Sequence, residues 1–356
     1  MAHKFIFIIL VFVFASSVSA QSGRVKPSET PTPNFRRPSV IYIPSESKPE
    51  TAKPTPKPTP TKKIEEADEE IIQVDSTLVP IPVSVLDSAG RAVTTLKLEN
   101  FELQIDGKPA EISDLSRSET PVRLAMLFDN SSSVTQAREF EKKAAVRFFK
   151  RVLRPETDLA ALYSVATGTR LEQPLTKSTD QLVQAIENFP MPSGATALLD
   201  AIIKAASYLR ESDGRRVIVI VSDGEDTISD ATFEETVKAV QAMNCQVYVV
   251  KTTEFENFKK TGSRGGNANI RALAAERRMQ DIALQTGGAV YSPIDERELD
   301  QAFNQISAEL SQQYILSYYP ENEGERRGEF RTISLSVKEK QNLRVRTRKG
   351  YYVPKR

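Results

Sequence analysis

The run Val217-Ile218-Val219-Ile220-Val221, followed at once by Ser222-Asp223-Gly224-Glu225-Asp226, decides the fold. An unbroken β-branched stretch has no polar face. The strand it forms is therefore covered on both sides, as in a parallel sheet sheathed by helices. A similar apolar strand lies upstream at Val122 to Phe128 and ends in Asp129-Asn130-Ser131-Ser132-Ser133. After it, Val134, Ala137, Phe140, Ala144, Ala145, Phe148 and Val152 mark one face of a long helix. Leu159 to Val165 and Thr169 to Leu175 read as a tight strand pair, with a helix near 178–188 behind them. Leu198, Ala201, Ile202, Ala205 and Leu209 mark another helix before the 217–221 run. Beyond that run come a helix at 231–243, a strand at Gln246 to Val250, a helix at 271–286, a short strand at 289–291 and a helix at 295–312. Such alternation predicts an α/β fold, a doubly wound, mostly parallel sheet with helices on both faces, over residues 119–313.

The flanks differ in kind. From Ile71 the pattern alternates: Leu78, Ile81, Val83, Val85 and Leu86 lead to a turn at Asp87-Ser88-Ala89-Gly90. Val93 to Leu98 and Phe101 to Ile105 then read as further short strands, the last closed by Asp106-Gly107. Residues 71–118 are too few to form a stable core alone. The segment 314–356 is also β-rich, at Tyr314 to Tyr319, Phe330 to Val337 and Leu343 to Val353. The two flanks are expected to pair into one small β-sandwich beside the central domain. At the other end, Lys4, the apolar run Phe5 to Phe14 and Val18-Ser19-Ala20 make residues 1–20 a secretory signal peptide, too short in its apolar core to span a membrane. Residues 21–70 form a Pro-rich linker, ending in Pro54-Thr55-Pro56-Lys57-Pro58-Thr59-Pro60 and the acidic patch Glu65-Glu66-Ala67-Asp68-Glu69-Glu70. That composition cannot bury a core and predicts an extended spacer.

What the chain lacks narrows its chemistry. Its one histidine, His3, lies in the signal peptide, and there is no Trp. The mature protein then has no imidazole, which removes Ser-His-Asp and Cys-His catalysis and every His-ligated metal. Cys245 stands alone, so no intrachain disulfide forms, and its apolar setting reads as a small core residue. A net charge of +1 offers no global field for nucleic acid or a membrane surface.

The remaining chemistry is carried by oxygen. In open α/β sheets ligands sit outside the carboxyl ends of the strands, where strand order reverses. Asp129, Ser131 and Ser133 follow one strand end and Asp223 follows another. If those strands are neighbours, about 4.8 Å apart, both carboxylates converge on one space. Ser193-Gly194-Ala195-Thr196 opens a helix and can add the Thr196 hydroxyl. Carboxylate and hydroxyl form a hard donor set suited to Mg²⁺, Mn²⁺ or Ca²⁺, not to zinc or copper. Each string also has a plainer reading: Ser131, Ser133 or Thr196 can cap the following helix, and Asp223-Gly224 can be an ordinary turn.

Taken together, Asp129-x-Ser131-x-Ser133, Thr196 and Asp223 resemble the metal-ion-dependent adhesion site of the von Willebrand factor type A domain. The resemblance covers roughly residues 119–313. It extends, through Gly90-Arg91-Ala92-Val93, Leu98-Glu99-Asn100-Phe101-Glu102-Leu103, Tyr314-Ile315-Leu316-Ser317-Tyr318-Tyr319-Pro320 and Arg348-Lys349-Gly350-Tyr351-Tyr352, to the secreted bacterial branch called vWFA-related. It implies a six-stranded, Rossmann-like sheet with one antiparallel edge strand, at Thr169 to Leu175. It also implies direct coordination by Ser131, Ser133 and Thr196, with Asp129 and Asp223 acting partly through water. Ser132 stands where the family commonly has Gly, which removes no ligand.

These readings predict a secreted, metal-dependent protein-binding module, placed in the periplasm, the cell envelope or outside the cell. The ion would complete its shell with an acidic side chain of a partner protein, and the chain would not be an enzyme. A Mg²⁺-dependent phosphotransferase-like hydrolase with Asp129 as nucleophile is the alternative chemistry. It needs a second Asp where Ser131 stands. A structural envelope protein with an unused site is the other alternative. Asn130-Ser131-Ser132 fits a glycosylation sequon, here incidental to the loop. The stretch Thr252 to Asn269, with Lys259, Lys260 and Arg264, is expected to be a long loop on the metal face, either a partner-reading element or a solvated connection.

Overall fold

The computed structural model describes residues 78–117, 120–264, 270–320, 327–338 and 342–353, all within the unit Ile71–Arg356. The expected signal peptide, linker and acidic patch therefore lie outside the described residues.

At the centre is a six-stranded sheet. Its strands are β5 (Val122–Asp129), β6 (Leu159–Val165), β7 (Thr169–Thr176), β8 (Arg215–Ser222), β9 (Cys245–Lys251) and β10 (Val290–Tyr291), in spatial order β10-β9-β8-β5-β6-β7. All neighbours run parallel except β7, which is antiparallel to β6 at one edge. The chain builds outward from β5 to one side and then, from β8, to the other. Strand order therefore reverses between β5 and β8, the doubly wound pattern with its crevice at that junction. Side chains of successive strand residues point to opposite faces. Leu124, Met126 and Phe128 of β5 and Val217, Val219 and Val221 of β8 pack on one face with Phe148 of α1 (Arg138–Val152) and Phe303 of α7 (Glu296–Ser311). Ala125 and Leu127 of β5 and Ile218 and Ile220 of β8 pack on the other with Ile202 of α3 (Leu198–Arg210), Val240 of α4 (Phe233–Ala242) and Ile282 of α6 (Ile270–Thr286). Both faces being covered is why β8 carries no polar alternation.

The flanks interleave. β1 (Val79–Leu86) pairs with β11 (Tyr314–Tyr318) and β13 (Arg344–Thr347), and β4 (Asp114–Arg117) extends that sheet beyond β11. β12 (Phe330–Val337) lies between β14 (Gly350–Tyr352) and β2 (Phe101–Ile105), with β3 (Lys108–Ala110) outermost. The two four-stranded sheets enclose one core containing Ile81, Val83, Phe101, Tyr314, Leu316 and Ile333. Every strand of the N-terminal flank except β3 thus pairs with a C-terminal strand.

Two details depart from expectation. Val93 to Leu98 is not a strand: only Ala92 bridges back to Leu86, and the segment ends in a 3₁₀ turn at Leu98–Asn100. Val93 N–H still donates to Val85 O (2.8 Å), but later donors go elsewhere, Leu96 N–H to the Tyr314 hydroxyl (2.9 Å) and Lys97 N–H to Asn100 Oδ1 (2.8 Å). The helix expected from Val134 begins instead as a 3₁₀ segment, Ser132–Gln136, and turns α-helical only at Arg138.

Candidate metal centre

β5 and β8 are in register from Val122↔Arg215 to Phe128↔Val221, so Asp129 lies beside Ser222 and one residue from Asp223. The neighbouring-strand condition for convergence of the two carboxylates is met. Asp129 is almost wholly buried. Its Oδ1 accepts Ser131 N–H at 2.9 Å and its Oδ2 accepts the Ser222 hydroxyl at 2.6 Å. Ser222 Oγ in turn accepts Gly224 N–H at 2.9 Å, which fixes the turn carrying Asp223. Asp223 is half-buried and accepts Glu225 N–H.

The loop after β5 is tied to the loop before α3. Ser132 N–H donates to Gly194 O (3.1 Å) and Ser193 N–H to Asn130 O (3.0 Å), so Ser131, Ser133 and Thr196 are brought to one rim. Gly194 permits this with φ +79°; a Cβ there would lie 2.3 Å from Thr167 Oγ1. Asn130 is itself buried and accepts from Arg138 Nη1.

None of the three hydroxyls serves as a helix cap. Ser131 is the N-cap of the 3₁₀ segment but makes no side-chain cap bond, and α1 has Ala137 as its N-cap, with no side-chain bond either. The first N–H groups of α3, those of Leu198 and Leu199, go to Asp226 Oδ1, at 2.8 and 3.2 Å. Asp226 therefore does the work that a capping reading assigned to Thr196, and Thr196 is fixed through its backbone: its N–H donates to Thr227 Oγ1 (2.9 Å) and its carbonyl accepts Thr227 N–H. Ser131 Oγ and Ser133 Oγ lie 2.9 Å apart.

Electrostatically the site is short of positive charge. Burial pushes the Asp129 carboxyl up from 3.8 to about 6, and the charge of Asp223 adds to the shift. Behind it, on α1, Glu141 is wholly buried with neither carboxyl oxygen hydrogen-bonded. Burial raises it well above the usual carboxylate range, and the charges of Asp129, Asp223 and Glu256 act the same way. Thr252 Oγ1, close enough to oppose that shift slightly yet outside hydrogen-bonding geometry, is itself unpaired. The nearby cations are committed: Arg138 to Asn130 and the carbonyls of Phe189 and Pro190, and Lys260 to Glu256 at 3.6 Å. Among the described residues no three of His, Cys, Asp and Glu come together as a metal cluster. A cation here would depend on the hydroxyls as much as on the carboxylates, which is the chemistry of Mg²⁺, Mn²⁺ or Ca²⁺.

The region from Thr252 corrects the expected loop. It is a helix, α5 (Thr253–Thr261), ended by Gly262 at φ +71°. Phe255 stacks on Phe140 of α1, with ring centroids 3.7 Å apart and planes 9° apart, and Lys259 and Lys260 occupy the last turn where the helix dipole favours cations. The Thr253 hydroxyl donates to Asp223 O at 3.2 Å, so α5 begins at the site. Residues 265–269 of the expected loop lie outside the described residues.

Residues 124–225 match the family model of the von Willebrand factor type A domain. Over those residues the chain is similar to the von Willebrand factor type A domain. That match holds Asp129, Ser131, Ser133, Thr196 and Asp223, and the type A domain accounts for the sheet from β5 to β8 directly. No curated protein matches the chain. Among solved structures it is similar to BatB, a conserved hypothetical protein from Bacteroides thetaiotaomicron, with 20% identity, TM-score 0.42, and 53% of this chain and 97% of that one covered. It is also similar to the vWF domain of the type V pili tip protein Mfa5 from Porphyromonas gingivalis (14%, TM-score 0.41, 53% and 94%). A third is the PilB minor pilin from Streptococcus sanguinis (14%, TM-score 0.41, 56% and 63%), of which the chain spans less than two thirds.

Sequence reasoning missed Ser222, Glu141 and Asp226. Ser222 and Asp226 sit inside a string read for Asp223 alone. Glu141 carried a signal, since it falls within the apolar stripe of α1, four residues from both Ala137 and Ala145.

Proposed function

We propose that the type A domain binds a partner protein through one divalent cation, Mg²⁺ or Mn²⁺ or Ca²⁺, held by Ser131, Ser133 and Thr196 together with Asp129 and Asp223. One observation supports this reading. Three hydroxyls that cap no helix belong to the two loops tied together at the β5–β8 switch point, where the carboxylates of Asp129 and Asp223 leave negative charge without a fixed counter-ion. A bound cation supplies that counter-charge and, with two nearby carboxylates at most, keeps affinity for a further anionic oxygen. An acidic side chain of a partner fits that demand. The chain's own residues do the rest: Ser222 orients Asp129, Gly194 and Ser193 lock the two loops, and Asp226 frees Thr196. Binding rather than turnover follows from Ser131, which stands where a phosphotransferase needs a second acid. Among the described residues no helix is long and apolar enough to cross a membrane. With residues 1–20 read as a signal peptide, the site would act in the envelope or outside the cell.

Calorimetric titration of Mg²⁺ and Mn²⁺ into the wild type, Asp129→Ala and Thr196→Ala tests the reading. Saturable binding in the wild type, lost in both variants, is expected; equal heats in all three proteins would sink it. Phosphatase turnover abolished by Asp129→Ala would replace binding with catalysis.

A further inference from the structure

At the opposite end of the same sheet, where β8 and β9 begin, a cavity of about 400 Å³ opens between the type A domain and the β-sandwich. Its lining holds three guanidinium groups, those of Arg215, Arg216 and Arg348, and no Asp, Glu or Lys. None of the three makes an ion pair among the described residues, although Arg215 and Arg348 are each only 8% exposed. Their hydrogen bonds go to neutral acceptors. Arg215 donates to Gln313 Oε1 (2.7 Å) and to Leu310 O, Arg348 to Pro80 O (2.8 Å) and Asn244 Oδ1, and Arg216 to Met243 O (2.9 Å) and Ser212 O. The Nε–H of Arg215 and that of Arg348 have no acceptor at all. Burial lowers both groups to about 10, so both stay charged at neutral pH.

Buried charges are ordinarily paired, and leaving one unpaired costs several kcal/mol. Carbonyl and amide oxygens satisfy hydrogen-bond directions but supply no net charge, and water would do no more. Three cations around one space therefore ask for an anion. The cavity's other wall is apolar, formed by Pro80, Pro82 and Ile315. Both prolines lie in the half of β1 that pairs with β11 only, because β13 joins β1 from Val83 onward. Lacking N–H groups, they close that edge without presenting donors. Cations on one side and hydrocarbon on the other suit a carboxylate with a short apolar body, and the volume falls in the range of small-molecule sites.

We propose that this cavity is a binding site for a small organic carboxylate, held by Arg215, Arg216 and Arg348 against the Pro80–Pro82–Ile315 wall. The site is remote from the rim that carries Asp129 and does not depend on the metal reading. Benzoate and hexanoate serve as probes, titrated into the full chain at constant ionic strength with a chelator present. Saturable binding is expected, weakened by about tenfold or more in Arg216→Gln and in Arg348→Gln, the loss due to one charge-assisted contact. Should Arg348→Gln fail to fold, Arg216→Gln suffices, since Arg216 is half-buried and its removal leaves the seam bonds of Arg215 and Arg348 in place. No binding of either carboxylate, equal affinity in the variants, or binding matched by inorganic phosphate or chloride would overturn the proposal.

Discussion

Replacing Asp129 by Asn should stabilise the metal-free protein while abolishing its response to metal. In the folded chain the Asp129 carboxyl sits at about 6, against 3.8 for the free group. A group raised in the folded state keeps its proton there after the unfolded chain has lost it, so stability falls as pH rises from about 4 to about 6 and stays reduced above. The gap corresponds to ~3 kcal/mol at ~1.4 kcal/mol per pH unit. Asn imitates the protonated acid: its oxygen can still accept Ser131 N–H, and no charge faces Asp223 or Glu141. In chelator at neutral pH, Asp129→Asn should therefore melt higher than the wild type by roughly 5–10 °C. At about pH 4 the two should converge. Magnesium reverses the ranking, since a thousandfold excess over Kd adds ~4.1 kcal/mol to the wild type and nothing to the variant. Differential scanning calorimetry across this pH range, with chelator and with Mg²⁺, reads all of these. A variant no more stable than wild type in chelator at neutral pH, or one that gains equally from Mg²⁺, would refute the reasoning.

Other consequences follow from single contacts. Ser222→Ala removes the hydroxyl that donates to Asp129 Oδ2 and holds its carboxyl down, so the midpoint pH for Mg²⁺ binding should move upward in titrations from about pH 5 to about pH 8. Gly194→Ala forces an L residue to φ +79° with its Cβ against Thr167 Oγ1; urea unfolding should show a loss of ~1–3 kcal/mol, and Mg²⁺ affinity should fall because Gly194 O anchors Ser132. At the seam, Arg346 pairs with the buried Glu309 at 2.5 Å, and Glu309 also takes the hydroxyls of Tyr248 and Tyr291. Arg346→Met leaves that carboxylate uncompensated and should cost ~3–5 kcal/mol in urea unfolding, most of it recovered on adding Glu309→Gln.

The sheet was legible because its signals are long and local. The β-branched run at 217–221 and the apolar strand at 122–128 each carry a whole layer, and covered strands leave no ambiguity of face. Asp129, Ser131, Ser133 and Asp223 could be set on one rim from sequence because each follows the carboxyl end of a central strand. Less legible was anything settled by a contact distant in sequence. Val93 to Leu98 has the composition of a strand, yet its Leu96 N–H meets the Tyr314 hydroxyl, more than two hundred positions away. Thr252 to Asn269 looked like a loop because its apolar content is sparse. Phe255 alone, stacked on Phe140, is enough to seat a helix there. The cavity of Arg215, Arg216 and Arg348 was invisible for the same reason, its three cations coming from two distant segments.

The central claim is that Ser131, Ser133 and Thr196 share one cation with Asp129 and Asp223. Anomalous diffraction from crystals grown with Mn²⁺ tests it most directly. A single strong peak is expected between the carboxyl ends of β5 and β8, within bonding distance of the three hydroxyls and absent in Thr196→Ala. A peak elsewhere, or none at saturating Mn²⁺, would contradict it.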